Sequence, residues 1–230
     1  FSAQYKYWNL DNYNMAYKIF YSSRNNITLG SLVYNLKKHD DAYKKYRDLC
    51  TITKFESMVK SPTHGSVASY YHSLFPDKYI FDDKTNKWYI LLESNIWEQL
   101  REHTRIIRID LKNTITEIIT LKLQSIETNN ETNNNNEKEK KLKYYKILEK
   151  LNTEDFLKNT FYYLKDNYTK TNIKFDGTPN LFTFKNGICY DLSKSQKKIR
   201  HVIPEDYITL HTGYDYVESK PEDIEFVKKF

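Results

Sequence analysis

Tyr79-Ile80-Phe81 and Trp88-Tyr89-Ile90-Leu91-Leu92 flank the polar run Asp82-Asp83-Lys84-Thr85-Asn86-Lys87, and this stretch decides how the chain folds. Both flanks are rich in aromatic and β-branched residues and have the length of strands, and the run between them has turn chemistry. They read as two strands of a hairpin, with Ile96-Trp97 beginning a third. Upstream, Thr63 reads as the cap of a helix carrying Val67, Ala68, Tyr70, Tyr71 and Leu74, which Pro76-Asp77 ends. Downstream, residues 101–127 read as one long helix with Ile107, Leu111, Ile115 and Ile118 on one face. Helix, small antiparallel hairpin, then helix defines the class: α+β, a helix-rich module with small antiparallel β-hairpins.

The rest extends this pattern. Residues 1–60 read as a small helical unit. Thr28 caps a segment with Leu29, Leu32, Val33 and Leu36; Tyr43, Tyr46, Leu49 and Cys50 continue the spacing until Ser61-Pro62 breaks it. Residues 128–136 are Asn-rich and polar, and read as a disordered surface insertion between two helices. A charged helix follows over 137–151. Thr153 begins another, with Phe156, Leu157, Phe161 and Leu164 as its apolar stripe and Glu154 and Asp155 in the first turn, where the helix dipole favours them. After Gly177-Thr178-Pro179, Leu181–Phe184 and Ile188–Tyr190 read as a second hairpin joined by Lys185-Asn186-Gly187, with Asn-Gly as a strong two-residue turn. Tyr207–Leu210 reads as a further strand.

The bulk numbers bound the function. A chain of 230 residues with 39% hydrophobic and 29% charged residues is expected to be soluble and globular. Its net charge of +6, from 36 basic and 30 acidic residues, permits an anionic partner without demanding one. Cys50 and Cys189 form no CxxC and no zinc spacing, which suits a reduced, intracellular chain. No run approaches a membrane span, no signal peptide is visible, and the opening Phe1 suggests an excised fragment or a processed product.

No phosphate loop, nucleophile elbow or zincin motif is present, and five glycines leave no room for another phosphate cradle. Asp82-Asp83 suits a polar turn better than a metal site. His64, His72, His103, His201 and His211 are scattered, and read as core or surface hydrogen-bonders. The strongest physical signal is basic. Arg101, Arg105, Arg108 and Lys112 recur at helical spacing over roughly 16 Å of axis, enough for a few successive phosphates. The alternative is a solvated face, with the arginines paired to Glu98, Glu102 or Asp110. A second cluster, Lys194, Lys197, Lys198, Arg200 and His201, lies in an expected loop. A third, Lys138, Lys140, Lys141, Lys143 and Lys146, alternates with Glu137 and Glu139 and reads as a solvated helix. The many Tyr residues suit base stacking, although core packing accounts for most of them.

One region carries more than composition. Asn180-Leu181-Phe182-Thr183-Phe184-Lys185-Asn186-Gly187-Ile188-Cys189-Tyr190-Asp191-Leu192, then Pro204-Glu205-Asp206-Tyr207-Ile208, then Thr212-Gly213-Tyr214-Asp215-Tyr216, resembles the domain preceding the superfamily 3 helicase in poxvirus-type helicase-primases, carried also by other large DNA viruses, phages and plasmids. Thr63-His64 with Val67-Ala68 and Tyr70-Tyr71 is similar to that family's entry helix, and Trp88-Tyr89 with Trp97 to its Trp-containing hairpin. Residues 27–37 resemble the end of the small helical segment that follows the primase.

The resemblance implies two parts: residues 1–60 as a post-primase linker segment, and 61–230 as a collar-type pre-helicase domain. It implies a non-catalytic middle module of a viral DNA-replication helicase-primase, coupling primase to an ATP-driven, usually hexameric, helicase ring. Its expected partners are single-stranded or forked DNA, sister subunits of the ring, and the primase and helicase domains of the same polypeptide, with no membrane. No cofactor is expected in this chain; ATP and Mg belong to the helicase domain. The expected location is a viral replication factory in host cytoplasm, or the virion. Arg101, Arg105, Arg108, Lys112, Lys197, Lys198 and Arg200 are the candidate nucleic-acid contacts. A stand-alone DNA-binding module and a nuclease or nucleotidyl-transferase domain are the competing readings; the latter lacks a carboxylate–His constellation. The motif residues themselves read as structural: Gly187 and Gly213 supply backbone freedom, and Asp191 and Asp215 bind local amides.

Overall fold

In the computed structural model, residues 39–128, 135–193 and 198–218 are described. The reading of 1–38, and with it the Thr28-capped helix, lies outside them, as do 129–134, Lys194 and Lys197. The chain divides into two compact units, residues 1–53 and 54–230. The described part of the first is the leading half of helix α1 (Asp40–Lys60). It opens with Asp40 and Asp41 and closes with Lys60, the charge order that the helix dipole favours.

The second unit is built on α2 (His64–Leu74), β1 (Tyr79–Asp82), β2 (Lys87–Leu91), β3 (Trp97–Leu100), α3 (His103–Thr128), α4 (Asn135–Leu151), α5 (Glu154–Tyr168) and β4 (Thr169–Lys170). A smaller sheet follows: β5 (Leu181–Thr183), β6 (Ile188–Asp191) and β7 (Lys198–His201), closed by a 3₁₀ turn at Pro204–Asp206. Thr63 caps α2 as expected, in a capping box with Ser66: the Ser66 amide donates to Thr63 Oγ1 at 3.2 Å, and the Thr63 amide to Ser66 Oγ at 2.9 Å.

The first sheet runs β3-β2-β1-β4, antiparallel except for β1 beside β4. Side chains alternate across it. Tyr79, Phe81 and Trp88 face the helical core with Val67, Tyr71, Ile107, Leu111, Phe161 and Leu164. Ile80, Tyr89 and Trp97 face the other way, against Ile173, Phe175 and Tyr207. Both faces of β1 are covered, which is why Tyr79-Ile80-Phe81 is apolar without alternation. On α3 the buried ridge is Ile107, Leu111, Ile115, Ile119 and Leu123, an unbroken i+4 row; Ile118 is only partly buried beside it.

Four expectations change. Lys185-Asn186-Gly187 joins the strands as expected, but as a three-residue loop and not with a two-residue Asn-Gly turn: the Phe184 amide donates to Ile188 O, and the Gly187 amide to Phe184 O. Gly187 alone in that loop holds positive φ, +75°, so this is a turn followed by a glycine bulge, not the two-residue form. Asn186 instead grips Tyr216 through both amide atoms, at 3.0 and 3.1 Å. Tyr207–Leu210 forms no strand. Tyr207 adopts a left-handed conformation (φ 50°, ψ 43°), and the partners of this segment are Trp97 N, which donates to Ile208 O, and the Asp176 carboxylate, which accepts from Thr209 N and Leu210 N. The expected loop at 198–201 is β7, in register with β6. Helix α4 begins at Asn135, inside the Asn-rich stretch.

The two sheets meet at a close joint. The β2–β3 turn reaches the second sheet: Asn95 Nδ2 donates to Val202 O at 2.8 Å, and Gly187 lies against the Ser94 backbone. Val202 N donates to Gly187 O, and Trp97 Nε1 to Pro204 O at 3.0 Å.

Candidate nucleic-acid interface

The basic residues at the head of α3 are placed unequally. Arg101 lies in the turn before the helix, exposed, rather than on its face. Arg105 is exposed and 3.5 Å from Glu102, an open pair of little energetic weight. Arg108 is partly sheltered: its Nε donates to Thr104 O at 3.1 Å, and its guanidinium is paired to Glu154 at the start of α5. Lys112 is half-buried and forms no ion pair with a described residue. Exposed Ile106 and Ile109 stand between them. The outward face thus carries Arg105 and Lys112 on the helix, with Arg101 at its entrance. Arg108 partly neutralises its charge against a neighbouring helix.

What holds α3 in this orientation is Asp110. The hydroxyls of Tyr71 and Tyr79 (2.8 Å for Tyr79) and the Lys78 ammonium (2.7 Å) all donate to one of its oxygens. Burial alone would raise the Asp110 pKa, but these three donors and the Lys78 charge outweigh it and hold the carboxyl below its ordinary value. Burial, with Asp110 nearby, pushes both tyrosines well up, so they stay neutral donors. Asp110 therefore serves Lys78, not an arginine of its own helix. Reading along the chain misses this cluster, because the three donors lie 31 to 39 residues from Asp110.

In the second basic group Arg200 is the engaged residue. Lys198 opens β7, and Arg200 forks onto Asp206 at 2.7 and 2.9 Å, with Asp191 at 4.0 Å. Asp206 also accepts from Ile203 N at 2.9 Å. Although burial works against it, the Arg200 fork and this amide keep the Asp206 carboxyl below its ordinary value. Replacing Arg200 with Met leaves Asp206 beside Asp191 without a cation. We expect a loss of about 2 kcal/mol by urea denaturation at neutral pH. The Arg200→Met deficit should shrink as pH falls, since a depressed carboxylate contributes above its unfolded pKa and loses that contribution below its folded one.

The histidines are spread through the unit. His64 lies on Phe156, His72 meets the edge of Tyr168, and His103 lies nearly parallel to the rings of both Trp88 and Phe161. His201 is an exposed β7 residue, and His211 Nδ1 accepts from Gly213 N. The Asp82 carboxylate ties its own turn, accepting from Lys84 N and Thr85 Oγ1. Among the described residues, no three His, Cys, Asp or Glu side chains are grouped as a metal ion would need. An open hollow of about 630 Å³ beside β4 has Lys170, Asn172, Lys174, Thr178 and Tyr207 in its wall and no acid, histidine or cysteine. No described helix is long and apolar enough to cross a membrane.

These joints coincide with the motifs that carry the family resemblance. A family model described as D5 N terminal like matches residues 68–230, more than half of the chain. The chain belongs to this family, the domain that precedes the helicase in poxvirus D5 and phage helicase-primases. It is thus a helicase-primase-related domain. A search of curated proteins finds no match.

Proposed function

We propose that this chain is the non-catalytic middle module of a viral DNA-replication helicase-primase. In this reading it couples a primase to an ATP-driven helicase ring, contributes to assembly of the ring, and guides single-stranded or forked DNA along α3. ATP and Mg²⁺ act in the helicase domain, and the site of action is the viral replication compartment. The observation that carries the reading is how the family motifs are used. Gly187, Asn186, Pro204, Asp206 and Tyr207 are all spent on joints between sheets and turns, while Arg101 and Arg105 are exposed and half-buried Lys112 forms no ion pair with a described residue. Structural motifs together with a partly paired cationic helix face suit a scaffold that touches a polyanion, not a reaction centre.

The test has two parts. Incubation of the purified chain with labelled single-stranded and forked DNA, Mg²⁺ or Mn²⁺ and nucleoside triphosphates is expected to leave the DNA unchanged; cleavage or nucleotide addition abolished by a point substitution would overturn the reading. Sedimentation velocity across a concentration series is expected to show self-association. A monomer throughout would remove the contribution to ring assembly.

A further inference from the structure

We propose that a cleft between the end of α1 and the length of α4 is a second phosphodiester-binding surface, formed by Lys60, Lys143, Lys146 and Lys150. The inference rests on the DNA-guiding reading above but uses none of its residues. The cleft encloses about 580 Å³, and Glu149 is its one acidic lining residue.

The sequence explains why the lysines gather there. Tyr144, Ile147 and Leu151 form the buried stripe of α4. Lys143, Lys146 and Lys150 repeat the same i, i+3, i+7 spacing one residue earlier, a rotation of roughly 100°. They therefore border the packing seam instead of pointing away from the protein, and overhang the groove where α4 passes the α1–α2 junction. Lys60, the last residue of α1, joins them from a segment more than 80 residues away in the chain.

The wall is held in place. Lys150 Nζ donates to Pro62 O at 2.7 Å and lies 5.6 Å from the centre of the Phe156 ring, so it ties the α1–α2 junction to α4. Its charge stays in the cleft while its position is fixed. Lys143 has one solvent-facing partner, Glu139, at 2.6 Å. Lys60 and Lys146 form no ion pair with a described residue. Glu149 in the lining and Glu139 on Lys143 offset part of the charge of the four lysines, and an anion seated there relieves the repulsion that is left.

The ligand class follows from the shape and lining. Lys143 to Lys150 spans roughly 10 Å of axis, about three phosphates of one strand at about 3.4 Å each. Ser61 adds a hydroxyl, and no exposed aromatic ring lines the groove to stack a base. Ammonium and hydroxyl donors without stacking rings suit the sugar-phosphate backbone, read without regard to sequence.

The test is fluorescence anisotropy of labelled oligothymidine with the whole chain over a salt series. The triple variant Lys60→Gln, Lys143→Gln, Lys146→Gln removes three charges and leaves the Lys150 tie intact; an unchanged melting curve checks the fold. Lys158→Gln, an exposed lysine on α5, is the control. We expect the triple variant to bind roughly tenfold more weakly near 0.1 M salt. Its log–log salt slope should be shallower by roughly 2, at about 0.7 for each phosphate no longer neutralised. Unchanged affinity and slope in the triple variant, with a loss in an α3 variant, would overturn the cleft and leave the α3 reading standing. Loss in the triple variant alone supports the cleft and removes α3 from the reading. No binding by the wild type would overturn both. If inorganic pyrophosphate displaces the labelled strand as well as unlabelled oligothymidine does, the groove holds a small phosphate and the nucleic-acid assignment fails.

Discussion

Replacing Gly187 with Ala is expected to cost more than about 3 kcal/mol of stability, enough to leave much of the protein unfolded at 37 °C. Two independent penalties add at this residue. Its φ of +75° lies in the left-handed region, where an L side chain costs roughly 1–2 kcal/mol. A Cβ there would also overlap the Ser94 carbonyl oxygen and sit 2.9 Å from its carbon, backbone that cannot rotate aside. Overpacking of this kind adds roughly 1–3 kcal/mol. Relief would require the β2–β3 turn to back away from the second sheet, which breaks the Asn95–Val202 and Trp97–Pro204 hydrogen bonds across the same joint. Gly213 provides the internal comparison. Its φ is +82°, yet a Cβ there meets nothing within 4 Å. Gly213→Ala should therefore show only the conformational penalty, about 1 kcal/mol. Guanidinium denaturation of both variants decides the matter: similar losses would mean that the Ser94 backbone does not constrain the joint.

Asp110→Ala is the second large effect, expected at about 2–3 kcal/mol, because it leaves the Tyr71 and Tyr79 hydroxyls and the Lys78 ammonium without their shared acceptor. Asp110→Asn keeps an acceptor without the charge and should lose about half as much. The pH dependence follows from the depressed carboxyl. Its contribution is complete above the unfolded pKa of about 3.9 and is lost as pH falls through the lower folded value. The gap between wild type and Asp110→Ala, measured by urea denaturation, should therefore be constant from neutral pH to about pH 5 and close below about pH 4. A gap that persists at the acid end would mean that packing, not the charge, anchors α3. Because this cluster sets the orientation of α3, the same variants should also disturb whatever the α3 face binds.

What can be read along the chain is local. The Thr63 cap, the Ser61-Pro62 break, both hairpins and the apolar stripe of α5 all depend on residues a few positions apart. The errors have the same origin. Ile118 and Ile119 both suit an α3 stripe, and only the neighbouring helices choose Ile119. Asn186-Gly187 is strong hairpin chemistry, but Asn186 is held by Tyr216, 30 residues on. Tyr207–Leu210 has strand composition, yet Asp176 and Trp97 satisfy its backbone from outside. Charge is the hardest to read. Arg101, Arg105, Arg108 and Lys112 are evenly spaced, but Arg101 falls before the helix and Arg108 turns to Glu154, 46 residues away. Arg200 reads as free in a basic loop, and its strand turns it onto Asp206. Lys143 and Lys146 have the spacing of an ordinary solvated face, and only the fold sets Lys60 opposite them.

The α3 face carries the DNA-guiding role, and one titration reaches it directly: anisotropy of fluorescent single-stranded DNA across a salt series, for the wild type beside Arg101→Ala, Arg105→Ala, Lys112→Ala. All three side chains lie outside the Asp110 cluster and the Arg108–Glu154 pair, so their removal should leave the fold unchanged. We expect salt-dependent binding whose log–log slope becomes shallower by roughly 2 in the variant, three phosphates at about 0.7 each. Binding with the same affinity and slope in both proteins would contradict this role: the basic face of α3 would then be a solvated surface, and DNA would pass elsewhere.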